Sequence, residues 1–285
     1  MAKGDAVFVD TSIAIARVAH APAVRARIDA RLAQFDCSFI GEIVAQEFKR
    51  RYLGEIRYML EKLSEGGSEA ELMHRLNRLP REQLRKFRMC MQILATSFED
   101  AGDGERFERL RLQLRYQLLR GMQRLTESVT SVIGDAGCAC ARLPIEEIKR
   151  FERYTLPNNK CSRTLPGACK IREFLEQMRP SVQAIQEALI ALPTESKTRE
   201  LAAIEDFLRK VLSGSFDVRS LDPCLNVGDL LIALESTMAR TFYTLNGKES
   251  QYLSRALGQS LIVGHPNPQH QEVECKANDL TWPKF

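Results

Sequence analysis

Nowhere in these 285 residues does an apolar run approach the roughly eighteen needed to cross a bilayer, which excludes a membrane-spanning helix. The opening residues Met1 to Asp5 also lack the apolar stretch of a secretion signal, so the expected location is the cytoplasm and no membrane partner is expected. A reducing compartment removes disulfides as the use of the eight cysteines, leaving core packing, metal ligation or reactive thiols. Internal repeats and low-complexity tracts are missing too. What remains is ordinary globular packing, and 44% apolar residues can fill the core of one large domain or two ordinary ones.

The net charge of +4 is unevenly placed. Residues 49 to 124 hold 17 Lys and Arg against 11 Asp and Glu, leaving the rest slightly acidic. A basic segment beside an acidic remainder suits a nucleic-acid partner and a carboxylate-lined site, although solvated helix faces look similar.

Ala6 to Val9 reads as a buried strand ending at Asp10, Ala23 to Gln34 as a helix, Cys37 to Ile40 as a strand and Gly41 to Leu53 as a helix. This alternation predicts a parallel sheet. Strand signals return at Thr241 to Leu245 and Leu261 to Val263, separated by a helix from Lys248 to Leu257. Between these two ends the helical period dominates, with helices expected near 81–98, 105–133, 145–153, 170–191 and 195–212. The expected architecture is therefore α/β: a domain formed by 1–54 with 218–285, interrupted by an all-helical insertion over 55–217. The tail after Gly264 is polar, and Trp282 is the residue that would pin it to the body.

Three carboxylates stand out. Asp10 ends a buried strand, where ligand sites of parallel sheets lie, although capping the next helix would also explain it. Glu47 falls on the apolar stripe of its helix, and burying it requires a compensating Arg, Lys or metal ion. Asp229 follows Gly228 at the start of the apolar run Leu230 to Leu234, hence at a helix amino-terminus. If the three converge, a hard divalent cation removes the repulsion that would otherwise raise their pKa values.

Four segments stand in order along the chain: Val7-Phe8-Val9-Asp10-Thr11-Ser12, Glu42-Ile43-Val44-Ala45-Gln46-Glu47-Phe48, Gly228-Asp229-Leu230-Leu231-Ile232-Ala233 and Tyr243-Thr244-Leu245-Asn246-Gly247-Lys248-Glu249. They resemble, in that order, the four motifs of the PIN-domain nucleases. The likeness covers roughly the first 54 and last 65 residues. It implies a three-layer α/β/α PIN-like domain and a ribonuclease that hydrolyses phosphodiesters with Mg²⁺ or Mn²⁺. Asp10, Glu47 and Asp229 would then be the ligands, Asn246 would assist, and Thr11, Ser12 and Thr244 would support them by hydrogen bonds. Family habits suggest a toxin or phage-defence effector, with structured RNA such as tRNA as substrate and a protein inhibitor or antitoxin as partner.

Two departures matter. Asn246 stands where the family often has Asp, a weaker neutral ligand for which Glu235 or Glu249 would compensate. In addition, 181 residues separate Glu47 from Asp229, far more than a compact member uses. The alternative is a weakened PIN-like protein that binds nucleic acid or serves as a scaffold. A phosphatase of the haloacid dehalogenase type also begins with a strand-terminal Asp, but Ser12 occupies the place of its second, acid-supplying Asp.

Within the insertion, Cys138, Cys140, Cys161 and Cys169 share one Gly/Pro-rich stretch inside 134–170. They would staple it as a structural Zn²⁺ site; an iron-sulfur cluster and unligated thiols are the alternatives. Arg106, Arg109, Arg120 and Arg124 line one side of a helix, and Arg81, Arg85 and Arg88 align on the helix before it. These stripes would grip RNA phosphates; the bland alternative is a solvated face of a helical bundle.

Overall fold

The four apolar residues before Asp10 form the buried centre of a sheet. A computed structural model of the chain describes residues 5–66, 68–98, 106–134, 136, 146–148, 153–155, 170–215, 227–267, 269–279 and 282–283. In chain order the first elements are β1 (Ala6–Val9), α1 (Thr11–Ala19), α2 (Pro22–Leu32), β2 (Cys37–Gly41) and α3 (Glu42–Phe48). A π-helical turn (Lys49–Leu53) leads into α4 (Gly54–Gly66), then α5 (Glu69–Asn77), α6 (Leu84–Phe98) and α7 (Arg106–Glu127). Three short strands follow: β3 (Ser131–Ile133), β4 (Glu146–Ile148) and β5 (Arg153–Thr155). After them come α8 (Ile171–Gln177), α9 (Arg179–Ile190), α10 (Arg199–Leu212) and α11 (Gly228–Glu235). The described chain closes with β6 (Thr241–Thr244), α12 (Gly247–Ala256), β7 (Ser260–Val263) and β8 (Val273–Cys275). Among the described residues no helix is long and apolar enough to cross a membrane.

The sheet has six strands in the order β3-β2-β1-β6-β7-β8, all parallel except the β7-β8 pair. The chain is thus an α/β protein with a mostly parallel sheet, consistent with a three-layer α/β/α arrangement. From β1 the chain moves outward to β2 and β3, whereas from β6 it moves the other way to β7. The direction reverses between β1 and β6, so their carboxyl ends open a crevice in which parallel sheets bind ligands. Phe8 and Phe242 stack across this central pair with ring centroids 5.9 Å apart.

The insertion is not all-helical, contrary to the expectation from its periodicity. Helix α7 stops at Glu127, six residues short of the expected end, because β2 captures the segment that follows. Thr130 N donates to Ser38 O at 2.8 Å, Thr130 Oγ1 accepts from Ser38 N at 3.0 Å, and β3 then adds to the sheet edge. The helix expected over 145–153 is also overturned: Glu146–Ile148 and Arg153–Thr155 pair antiparallel as β4 and β5. The helix expected over 170–191 breaks at Met178, because Pro180 has no amide donor and fits only the first turn of a new helix. Thr198 caps α10, accepting from Leu201 N at 3.2 Å.

The described residues of the tail after Gly264 are held to the body: they supply β8, Glu272 lies 3.5 Å from Arg31 and accepts from the Tyr243 hydroxyl, and Trp282 packs against the hydrophobic core.

Gly41 illustrates how closely β2 meets the helical layer. Glu235, fully buried at the end of α11, accepts from Ile43 N at 3.2 Å and so caps α3. A Cβ on residue 41 would lie 1.8 Å from Glu235 Oε2. Gly41→Ala is therefore expected to unseat this carboxylate and destabilise the fold by ~1–3 kcal/mol, read as a lower urea midpoint with unchanged slope.

Candidate metal centre

Asp10 leaves β1 in extended conformation and caps α1 with its side chain. One carboxylate oxygen accepts from Thr11 N at 2.7 Å. The other accepts from the hydroxyls of Ser12 at 2.6 Å and Thr244 at 2.7 Å. These hydroxyls are themselves held from the end of β6: Thr244 Oγ1 accepts from Asn246 N at 2.9 Å, and Ser12 Oγ accepts from Leu245 N at 2.9 Å. The carboxylate is therefore fixed by two adjacent strands. Capping, the bland reading of Asp10, does occur, but it uses only part of the hydrogen-bonding shown.

Glu47 and Asp229 approach from the helical layer. Glu47, on α3, is 2% exposed, and its Oε1 lies 3.2 Å from Arg51 and 3.7 Å from Arg50. The structural ion pair is thus present. It does not fully compensate: burial raises the Glu47 pKa, with the Asp10 charge adding to it and Arg51 opposing. Asp229 sits in the first turn of α11, but Val227 occupies the cap position and makes no side-chain cap bond. Its carboxyl is pushed up to about 7, first by burial and then by the charges of Asp10 and Glu47. Gly228 makes this approach possible, since a Cβ there would lie 2.6 Å from Glu47 Oε1.

Asn246 precedes α12 without capping it by its side chain, and Glu249 is buried in that helix's first turn. A single cleft of about 510 Å³ is lined by Asp10, Thr11, Ser12, Glu47, Asp229, Asn246 and Glu249 together with Arg51, Arg85, Glu200 and Lys248. Five carboxylates thus face three cations, an imbalance that another positive charge would relieve. No family model, curated protein or solved structure matches this chain.

The donor set suits a hard divalent cation, being oxygen throughout. Beneath the cleft a void of about 10 Å³, room for about one water-sized centre, is bordered by Asp10, Asp229, Asn246, Ser250 and Ser254. Glu47, however, leans towards Arg51. Among the described residues no three His, Cys, Asp or Glu groups converge tightly enough to hold one ion. Asp10, Asp229 and Asn246 are therefore the residues that would hold it, and Glu47 would join by turning from the arginines. Gly228→Ala is expected to push Glu47 aside, lowering Mn²⁺ affinity about tenfold by calorimetry while the far-ultraviolet circular dichroism stays unchanged.

Not every expected residue reaches the cleft. Glu235 caps α3 instead, and of the six expected arginines whose side chains are described only Arg85 lines the cleft. Arg81 and Arg88 are exposed on or beside α6; Arg109, Arg120 and Arg124 are exposed on α7; the Arg106 side chain lies outside the described set. Arg120 donates to Gln123 Oε1 at 2.6 Å, and Arg124 lies 5.7 Å from the centre of the Tyr116 ring. Cys138, Cys140, Cys161 and Cys169 also lie outside the described residues. Cys90 is buried, with its thiol pushed up to about 12 by burial. Arg51, Lys248 and Glu200 were not anticipated; for Arg51 the available signal was its place four residues after Glu47, one helical turn on.

Proposed function

We propose that the chain is a PIN-like metal-dependent ribonuclease that hydrolyses RNA phosphodiester bonds. One observation carries this reading: five carboxylates, each in or capping a different helix, line one cleft at the crevice between β1 and β6. The motif resemblance supplies the choice of RNA. When bound, Mg²⁺ or Mn²⁺ would lower the pKa of a water and offset charge developing on the phosphate. Asp10, held by Ser12 and Thr244, keeps its oxygens oriented for that ion. Asp229, once deprotonated, would contribute the charge that burial otherwise suppresses. Arg51, Arg85 and Lys248 offer the cleft's cations to an incoming phosphate. A toxin or phage-defence role, a structured RNA substrate and a restraining protein partner extend the same proposal.

The test is incubation of purified protein with labelled single-stranded RNA, tRNA and DNA, with Mn²⁺ or with chelator. RNA cleavage that needs the metal is the expected result; cleavage unaffected by chelator, or none at all, removes the enzyme reading. The pairing of Glu47 with Arg51 and the neutral Asn246 favour a second reading, a binding or scaffold protein with a weakened metal site. Calorimetry separates the two, because a scaffold of that kind would take up no Mn²⁺ at millimolar concentration.

A further inference from the structure

The acidic cleft adjoins a second cavity of about 460 Å³. Ser12, Arg51 and Arg85 line both, so the two form one hollow with chemically different halves. The second half has apolar walls from Ile15, Met89 and Leu245, with the carboxylate of Glu55 and the amide of Gln92 among them. Two observations bear on what enters. Arg51 and Arg85 both line the neck shared by the two halves, so a phosphate seated there would meet two guanidinium groups. The Glu55 carboxylate lines this half and is paired with Lys86 Nζ at 3.4 Å, and a carboxylate has more acceptor positions than one ammonium fills.

An apolar ligand would leave Glu55 and Gln92 unsatisfied, and a small anion would meet Glu55 and leave Ile15 and Met89 uncovered. A flat ring with polar edges, attached to a phosphate, answers both halves. We propose that this cavity receives the base of the nucleotide beside the scissile phosphate, with that phosphate at the Arg51 and Arg85 neck. The inference rests on the reading of the cleft as an RNA phosphodiester site. Unstacked bases are recognised in this way, by contact with apolar side chains and hydrogen bonds at the base edge. As an ionised carboxylate paired with Lys86, Glu55 accepts and does not donate, so bases bearing an exocyclic amino group are favoured over uracil.

Calorimetry of the whole chain with Mn²⁺ tests this, using CMP, UMP and ribose 5-phosphate as probes. CMP is expected to bind about tenfold more tightly than either of the others, and Met89→Trp, which fills the cavity, is expected to remove that advantage. Equal affinity for CMP and ribose 5-phosphate in the parent overturns the proposal, as does a CMP advantage that survives in a folded Met89→Trp protein. A second measurement needs no variant: an RNA oligonucleotide with one abasic position should lose cleavage there, and undiminished cleavage counts against the base site. The two readings fail separately. CMP preference without RNA cleavage sinks the nuclease alone, and RNA cleavage without CMP preference sinks the base site alone.

Discussion

Asp10→Asn is expected to lower metal-dependent RNA cleavage by more than about a hundredfold while leaving the fold intact. The substitution keeps the shape of the side chain and removes its charge. It also places an amide among donors: if the Asn nitrogen faces Ser12 and Thr244, donor meets donor, and if it takes the other position it opposes Thr11 N and presents hydrogens to the cation. Either orientation spoils the ion's seat. Folding should survive, because Asn caps a helix about as well as Asp and can still accept from Thr11 N. Loss of the Asp10 charge also removes one of the influences that raise the Asp229 carboxyl, whose titration should move back towards the usual carboxylate range. The measurement is a pair: cleavage rates with Mn²⁺, and the Asp229 carboxyl followed by nuclear magnetic resonance against pH. Parent-like cleavage by the variant would remove Asp10 from the chemistry altogether.

The outer framework was legible because its signals are local. Ala6 to Val9 is an unbroken apolar run closed by a carboxylate, and that pattern alone places Asp10 at a strand's carboxyl end. Glu47 was legible as buried from its position on an apolar stripe, and Asp229 as helix-initial from Gly228 and the run after it. What could not be read depends on contacts between distant segments. β3 is three residues long and becomes a strand only because the β2 edge is there to pair with it. The break between α3 and α4 is a π turn over Lys49–Leu53, and nothing in Lys-Arg-Arg-Tyr-Leu distinguishes it from an ordinary helical turn. That turn holds Arg51, which pairs with Glu47 and also lines the second cavity, a double placement that the i,i+4 spacing alone did not reveal. Glu235 went to the α3 amino-terminus because an unoccupied helix end beside Gly41 competes for a buried carboxylate.

Asp229→Asn should make the metal-free protein more stable and the metal-loaded protein less so, and the two effects separate by pH. The folded carboxyl titrates near 7 against 3.8 for the group at its ordinary value. Since the folded-state value is the higher one, the protonated group contributes its stability fully below about pH 4. That contribution is lost as pH rises to about 7, because the unfolded chain releases its proton first. Above pH 7 the parent carries a buried, repelled charge that Asn lacks. Partial exposure to the cleft discounts the benefit of removing it to ~1–2 kcal/mol, or about 2–6 °C in Tm for a chain of this size. Addition of Mn²⁺ at pH 8 should raise the parent's Tm and leave the variant's nearly unmoved, and in the parent the gain should shrink as pH falls through 7, because the ion must displace the proton. Thermal melts at pH 4, 6 and 8, with chelator and with Mn²⁺, contain the whole comparison. A variant less stable than the parent at pH 8 in chelator would show that Asp229 is satisfied by the protein itself, and equal metal stabilisation of both proteins would place the ion elsewhere.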